Sequence, residues 1–201
     1  MEIIDRKNII SEFSKRSKII LELGCGPSKR IAEAISIDIL NIPEVDIVAD
    51  LSKGFPFIPD NCVDEIYSFH FIEHLSDLEL FIRESLRILK PGGKIAGTVP
   101  HFSNPYFYSD YTHKNFFGLY TFCYFCKNQP FKRRVPVFYS EIDLEIRKIN
   151  LIFKSPFLIR KVFRVIWGKI VNSCRFMLEF YEGSMTGLIP AYEIEFELIK
   201  K

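Results

Sequence analysis

Short apolar runs recur through the first hundred residues, each closed by glycines or by an acid. The run from Lys18 to Leu23 carries one carboxylate, Glu22, and breaks at Gly24-Cys25-Gly26-Pro27. Runs at 35–37 and 45–49 end on Asp38 and Asp50. Such runs are too short for helices and fit buried strands. They predict strands over 18–23, 35–39 and 46–49, with a fourth over 64–68 and a fifth over 95–99. Residues 2–16 predict a polar helix. From Leu75 to Leu89, Leu75, Leu78, Phe81, Ile82, Leu86 and Leu89 recur near the helical period. Ser76 with Glu79 fits a capping box, and Pro91-Gly92-Gly93 supplies the stop. Strands alternating with short crossovers predict a parallel, doubly wound sheet.

The texture changes after Pro100. Residues 101–131 hold twelve Phe or Tyr among thirty-one positions. This predicts an insertion over a cleft, with a helix near 115–126. Residues 142–153 then alternate as a strand, and so do 191–199. Between them Pro156 opens a predicted helix running to Tyr181. Its apolar stripe is Ile159, Phe163, Ile166, Ile170, Cys174 and Met177, with Lys161, Arg164, Asn172, Arg175 and Glu179 largely opposite. Packing of the stripe on the domain is the default expectation. No apolar run in this helix exceeds three residues, too few to span a bilayer.

Composition bounds the picture. The 201 residues, 48% hydrophobic and 26% charged, fit one ordinary globular domain. The net charge of +2 is unevenly spread: residues 127–175 carry 12 basic and 3 acidic side chains. Such a patch suits phosphate, anionic lipid or nucleic acid, or is simply a solvated surface. Residues 1–18 are charged throughout, and the five cysteines are odd in number, so the reading is cytosolic with reduced thiols. Cys123 and Cys126 form a C-x-x-C within an aromatic run, with no second pair to complete a zinc set. Packed cysteines and no metal are expected.

Two glycines after a buried run let a ligand approach the main chain, and acids ending the next two runs add hydrogen-bond acceptors. With Phe55-Pro56-Phe57-Ile58-Pro59-Asp60-Asn61-Cys62-Val63-Asp64, Glu73-His74-Leu75 and the Lys90-Pro91-Gly92-Gly93 turn, the ordered set resembles the class I S-adenosylmethionine-dependent methyltransferases. The resemblance covers residues 18–101, about half the chain. Only about eight residues separate Pro27 from the second strand, so the first helix is a turn or two, or absent, as in compact members of the family. A dinucleotide-binding loop fits worse, because Lys29 stands where a third glycine is needed.

The resemblance implies an α/β, Rossmann-like, doubly wound, mostly parallel seven-stranded sheet with an antiparallel last strand, plus the aromatic-rich cap. Residues 1–201 form one domain: a cofactor-binding core over 18–101, a cap over 102–140, and C-terminal strands with an amphipathic helix over 141–201. The implied cofactor is S-adenosylmethionine, leaving as S-adenosylhomocysteine. Gly24, Cys25 and Gly26 would leave room for its methionine and ribose, and Glu22 would hold the amino-acid end or brace the loop. Asp38, with Ile39 beside it, would take the ribose hydroxyls. Asp50 would accept from the adenine amino group and Leu51 supply an apolar wall, while Phe69 and His70 line the methyl end. Asp38 and Asp50 also suit helix caps.

Methyl transfer needs the acceptor positioned and, for a hydroxyl, its proton removed. Histidine suits that task. The candidates are His101 just past the fifth strand, His74 at a helix start, and His113, which Asp110 would orient in an aspartate-x-x-histidine arrangement. Tyr106, Tyr108 and Tyr111 would stack on the acceptor, although core packing is the expectation for most of the cap aromatics. The expected acceptor is a hydroxyl or amine of a small molecule, with a sugar or lipid-linked glycan leading. An anionic membrane surface and a homodimer are further partners to test. The alternatives are a non-catalytic regulator of the same fold and an RNA methyltransferase. The second is suggested by Lys132-Arg133-Arg134 but weakened by Ser68-Phe69-His70-Phe71 standing in place of an amine-methylating tetrad.

Overall fold

The computed structural model describes residues 3–155 and 157–201. Eight strands form one sheet: β1 (Ile4–Asp5), β2 (Ile20–Leu23), β3 (Ile35–Asp38), β4 (Ile47–Val48), β5 (Val63–Phe69), β6 (Leu89–Pro100), β7 (Leu144–Ile152) and β8 (Glu193–Lys200). Their order is β1-β4-β3-β2-β5-β6-β8-β7. From β4 to β6 every pairing is parallel, while β8 runs antiparallel to both β6 and β7. The expected mostly parallel α/β sheet with an antiparallel last strand is therefore present. The strand count is corrected from seven to eight, because Ile4 and Asp5 pair antiparallel with Val48 and Ile47.

The chain leaves β2 toward β3 and β4, then returns to place β5 on the other side of β2. The carboxyl ends of β2, β3, β5 and β6 thus share one edge, with the strand order reversing beside β2. Open α/β sheets bind ligands at such a point. Residues 24–34 form turns with no helix, as expected for a compact member.

One helix, α1 (Leu78–Ile88), crosses from β5 to β6 and buries Phe81, Ile82 and Ile88. Asp77 caps it, accepting from the Leu80 amide at 2.8 Å, so the expected Ser76 cap is corrected. Leu89 pairs with Val63 and Lys94 with Glu65, so the turn from Lys90 to Gly93 bulges opposite Asp64. The Lys90 ammonium closes the bulge on both Asp64 oxygens at 2.8 Å.

Three other expected helices differ. Over residues 3–16, in place of the polar helix expected over 2–16, the chain forms β1, turns and a short 3-10 segment, Ile10–Glu12; Asp5 accepts from the Ile9 and Ile10 amides and folds the chain back. The cap helix over 115–126 shrinks to a 3-10 segment, Thr121–Phe125, since aromatic and β-branched residues lose rotamer freedom in a helix. The long C-terminal helix is two, α2 (Leu158–Val171) and α3 (Arg175–Ser184). Asn172 makes the break: its amide group exchanges bonds with the Leu151 backbone at 2.8 Å and turns the chain back onto β7. The expected helix start at Pro156 lies outside the described residues.

The stripe of α2 does not pack. Ile159, Phe163, Ile166 and Ile170 are all exposed, Ile159 at 87%. Cys174 is exposed and Met177 half-buried. The helix meets the domain along another face, through the Arg164 guanidinium, which donates to the Pro190 carbonyl at 2.6 Å and lies over Tyr192, through half-buried Trp167, through Gly168 against Phe153, and through buried Val171.

Candidate active site

The glycine loop leaves β2 with positive φ at both glycines, 68° at Gly24 and 56° at Gly26. L side chains resist this region. At Gly24 a Cβ would stand 2.1 Å from the Phe71 ring, so the position must stay bare for Phe71 to close on the loop. At Gly26 a Cβ would meet nothing within 4 Å: this side of the loop is open.

Acids hold the loop from below. Glu22, buried on β2, accepts from the Arg30 amide with both oxygens, at 3.0 and 2.9 Å, and from the Ile31 amide at 2.8 Å. Of the two expected parts for Glu22, these bonds supply the brace of the loop. Asp38, at the tip of β3, accepts from the Gly26 amide on one oxygen at 2.8 Å and from the Leu40 amide on the other at 3.0 Å. Each oxygen keeps a lone pair. Beside it, Ile39 is 66% exposed and Leu40 is also open, an apolar ledge at the carboxyl edge of the sheet.

Three expected contacts are redirected. The Cys25 side chain sits in a satellite core with Val45 and Val48, so only its backbone faces the loop. Burial, then the charges of Asp38 and Glu22, push its thiol up to about 11. The Leu51 side chain is buried in the main core. Asp50 caps the 3-10 turn Leu51–Lys53, accepting from the Ser52 amide at 3.0 Å.

Beyond β5, the Arg30 guanidinium lies over the Phe69 ring at 4.8 Å. His70 adopts a left-handed φ of 53°. Its ring lies 3.3 Å from Glu193 and 3.4 Å from Glu73. Glu193 first, then Glu73, raise it to about 9 against the opposing effect of burial. His70 is therefore an imidazolium at neutral pH, held between two carboxylates.

The catalytic candidates separate into two groups. His101 is fully buried; its Nδ1 accepts from the Ser103 amide at 3.1 Å, so Nε2 donates to Glu182 at 2.9 Å. Glu182 also accepts from the Leu119 amide at 2.8 Å. His101 thus clamps α3 and the cap to the sheet, and its expected part as a base is corrected: both nitrogens are engaged and no solvent reaches them. His74, His113 and Asp110 come together instead. Asp110 accepts from the Thr112 amide at 2.9 Å, and the Thr112 hydroxyl donates to it at 2.5 Å. That hydroxyl lies 2.9 Å from His74 Nδ1. His113 Nδ1 donates to the Phe107 carbonyl at 3.0 Å, and the two imidazole centres are 5.0 Å apart.

Tyr106, Tyr108 and Tyr111 are all exposed, Tyr111 at 96%, whereas Phe107 between them is buried. Of these four rings only Phe107 is buried, so the expectation that most of them form a cap core is corrected, while Phe117, Phe122, Phe125 and Phe131 further along are buried. Glu73 stood out in the sequence only within the Glu73-His74-Leu75 run, and Thr112 and Glu182 were not singled out. The carboxylate beside His74 was visible as a pair, but the other two act through partners distant in the chain.

Residues 21–97 match the family model of a methyltransferase domain. Over 59 residues the chain is 39% identical to a Mycolicibacterium smegmatis protein described as a probable S-adenosylmethionine-dependent methyltransferase. The match covers 29% of this chain and spans less than a quarter, 23%, of that relative. A crystal structure of a methyltransferase of the same cofactor class from Archaeoglobus fulgidus superposes with a TM-score of 0.58, 18% identity, and coverage of 96% of this chain and 90% of that one. A phosphoethanolamine N-methyltransferase of Haemonchus contortus, in complex with S-adenosylhomocysteine, gives 0.52 at 14% identity, covering 96% of this chain and 52% of that one. These structural likenesses speak to the fold, and the family model to the residues of the glycine loop and its acids. Residues 21–97 are thus similar to a methyltransferase domain, and the chain as a whole shares the fold of S-adenosylmethionine-dependent methyltransferases.

Proposed function

We propose that this chain binds S-adenosylmethionine at the carboxyl edge of β2, β3 and β5 and methylates a hydroxyl of a sugar or lipid-linked glycan. The observation that carries the first half is the open left-handed turn at Gly26, tied through its amide to Asp38. The residues fit the cofactor. Gly26 leaves its side of the loop bare, Asp38 keeps one lone pair per oxygen for ribose hydroxyls, and Ile39 and Leu40 offer an apolar ledge for the adenine. Arg30, exposed above Phe69, suits the methionine carboxylate. Bound there, the cofactor supplies an electrophilic methyl on a sulfonium. The burial that raises the Cys25 thiol keeps it protonated, which prevents a thiolate from competing for that methyl. Tyr106, Tyr108 and Tyr111 present open ring faces on the cap, suited to stacking on a sugar. The test of the site is titration of S-adenosylhomocysteine into wild type and Gly26→Val. Micromolar binding by wild type with loss in the variant supports it; equal binding by both removes the loop from the site.

The acceptor class rests on α2. Its first half, Leu158 to Ile166, projects Leu158, Ile159, Val162, Phe163, Val165 and Ile166 into solvent. Burying a large apolar side chain is worth about 1.5–3 kcal/mol, so the face favours a partner. Arg160, Lys161 and Lys169 stand exposed among these side chains. An apolar face edged by cations is the composition of a helix that lies in an anionic interface. No helix among the described residues is long and apolar enough to cross a membrane. The reading is a helix that rests on an anionic bilayer and brings the cleft to a lipid-linked acceptor. Co-sedimentation with phosphatidylglycerol vesicles but not phosphatidylcholine vesicles supports it. A concentration-dependent dimer that buries α2 and ignores vesicles overturns it.

A further inference from the structure

The peptide bearing Glu73 and His74 is bolted to the cap. The Glu73 carbonyl accepts from the Lys114 and Asn115 amides at 2.8 and 3.1 Å. The Asn115 side chain donates to the Ile72 and Leu75 carbonyls at 3.2 and 2.6 Å. These bonds bring the His74 and His113 rings within 5.0 Å of each other, tilted by 51°, with Glu73 beside them.

Hydrogen bonds then fix where the protons sit. The Thr112 hydroxyl spends its hydrogen on the Asp110 carboxylate, so it can only accept from His74 Nδ1. A carbonyl can only accept, so His113 Nδ1 donates to Phe107. With Nδ1 donating in each ring, Nε2 is the nitrogen left to act as a ligand; that of His113 lies 3.5 Å from the Asp110 carboxylate. Glu73 is 1% exposed, and its Oε2 has no hydrogen-bond partner among the described residues. One donor atom from each of Glu73, His74 and His113 lies within 4.8 Å of the others. His70 stands 3.4 Å from the other Glu73 oxygen, Oε1, which leaves Oε2 as an orphaned buried carboxylate oxygen beside the two imidazoles, a donor set suited to a cation.

We infer that Glu73, His74 and His113 form a divalent transition-metal site of the zinc class. Two imidazoles and one carboxylate match the nitrogen and oxygen preferences of such an ion, and a three-ligand set leaves a position open. Ligand atoms around a tetrahedral zinc lie roughly 3.3–3.5 Å apart, given bonds of about 2.0–2.2 Å, so the part-exposed imidazoles close in on binding. The outer contacts follow the usual rule for metal-bound histidine: each spare N–H is held, one by the Phe107 carbonyl and one by Thr112 backed by Asp110. This replaces the expectation of no metal, and it recasts His74 and His113 as ligands in place of bases. If the methyltransferase reading holds, the open position suits the acceptor hydroxyl, whose proton the ion would make easier to lose. The site itself does not depend on that reading.

The probe is Co2+ added to chelator-treated protein, followed by its visible ligand-field absorption and by calorimetry, with Zn2+ in competition. Wild type should bind one equivalent with the intense absorption of a four- or five-coordinate ion, displaced by Zn2+. His74→Ala and His113→Ala should each weaken binding at least tenfold, while Cys174→Ser, which removes the exposed thiol, leaves it unchanged. Glu73→Gln should also weaken binding; circular dichroism reports whether that variant folds. Absence of stoichiometric binding, or binding that survives His74→Ala with His113→Ala, overturns the site. S-adenosylhomocysteine is titrated into the same samples. Cofactor binding without metal binding sinks this inference alone, and metal binding without cofactor binding sinks the methyltransferase reading alone.

Discussion

Helices α1 and α2 carry the same kind of pattern and meet different fates. Both repeat apolar residues at helical spacing with charges between. On α1 the apolar face is gone from solvent: Phe81, Ile82 and Ile88 are each at most 2% exposed. On α2 the face from Ile159 to Ile170 is open along its length. The difference lies in what each helix is tethered to. α1 is a crossover between adjacent parallel strands, so the sheet must lie under it. α2 hangs between β7 and β8, an antiparallel pair that needs no crossover, and it is held by Arg164 on the Pro190 carbonyl and by Asn172 at its end, contacts that leave the apolar face uncovered. Periodicity announces an apolar face; topology decides whether the fold supplies its partner.

Substitutions can break that contrast. Ile82→Ala on α1 should cost about 2–5 kcal/mol, the range for emptying a well-packed site, read from the urea midpoint. Asp38→Ala, at the edge α1 helps to build, should weaken S-adenosylhomocysteine at least tenfold, since losing a charged hydrogen-bond acceptor costs roughly 1.5–3 kcal/mol; unchanged affinity would remove Asp38 from the site. Acid should act on the β1–β4 edge. Burial disfavours the Asp46 charge, but the Lys7 ammonium and two bonds from Ser36 outweigh burial and lower its carboxyl from 3.8 to about 2. Its stabilisation is complete above 3.8 and disappears as pH falls through about 2, a loss of about 2 kcal/mol. Asp46→Asn should be less stable at neutral pH and show a flatter stability profile across that window. Ile166→Ala on α2 should change stability by less than about 0.5 kcal/mol, while vesicle binding drops. A cost like that of Ile82→Ala would mean α2 is packed after all.

The same contrast explains what could be read from residues alone. Gly24, Gly26, Asp38 and Asp50 lie at the ends of their own strands, so local pattern placed them on one edge. Features set by distant partners stayed hidden. His101 looks like an edge histidine until Glu182, 81 positions on, closes over it. β1 is two residues long and exists only through the β4 edge. Asp50 drew both a ligand and a cap reading; its Oδ1 bond to the Ser52 amide supplies the cap and leaves its other oxygen free of that bond. Thr112 gave no signal, because its importance is to settle which nitrogen of His74 holds the proton.

The most direct test of the central claim is calorimetric titration of the purified protein with S-adenosylmethionine and S-adenosylhomocysteine. The account predicts micromolar binding of both, lost in Gly26→Val. A folded wild-type protein that binds neither would contradict it.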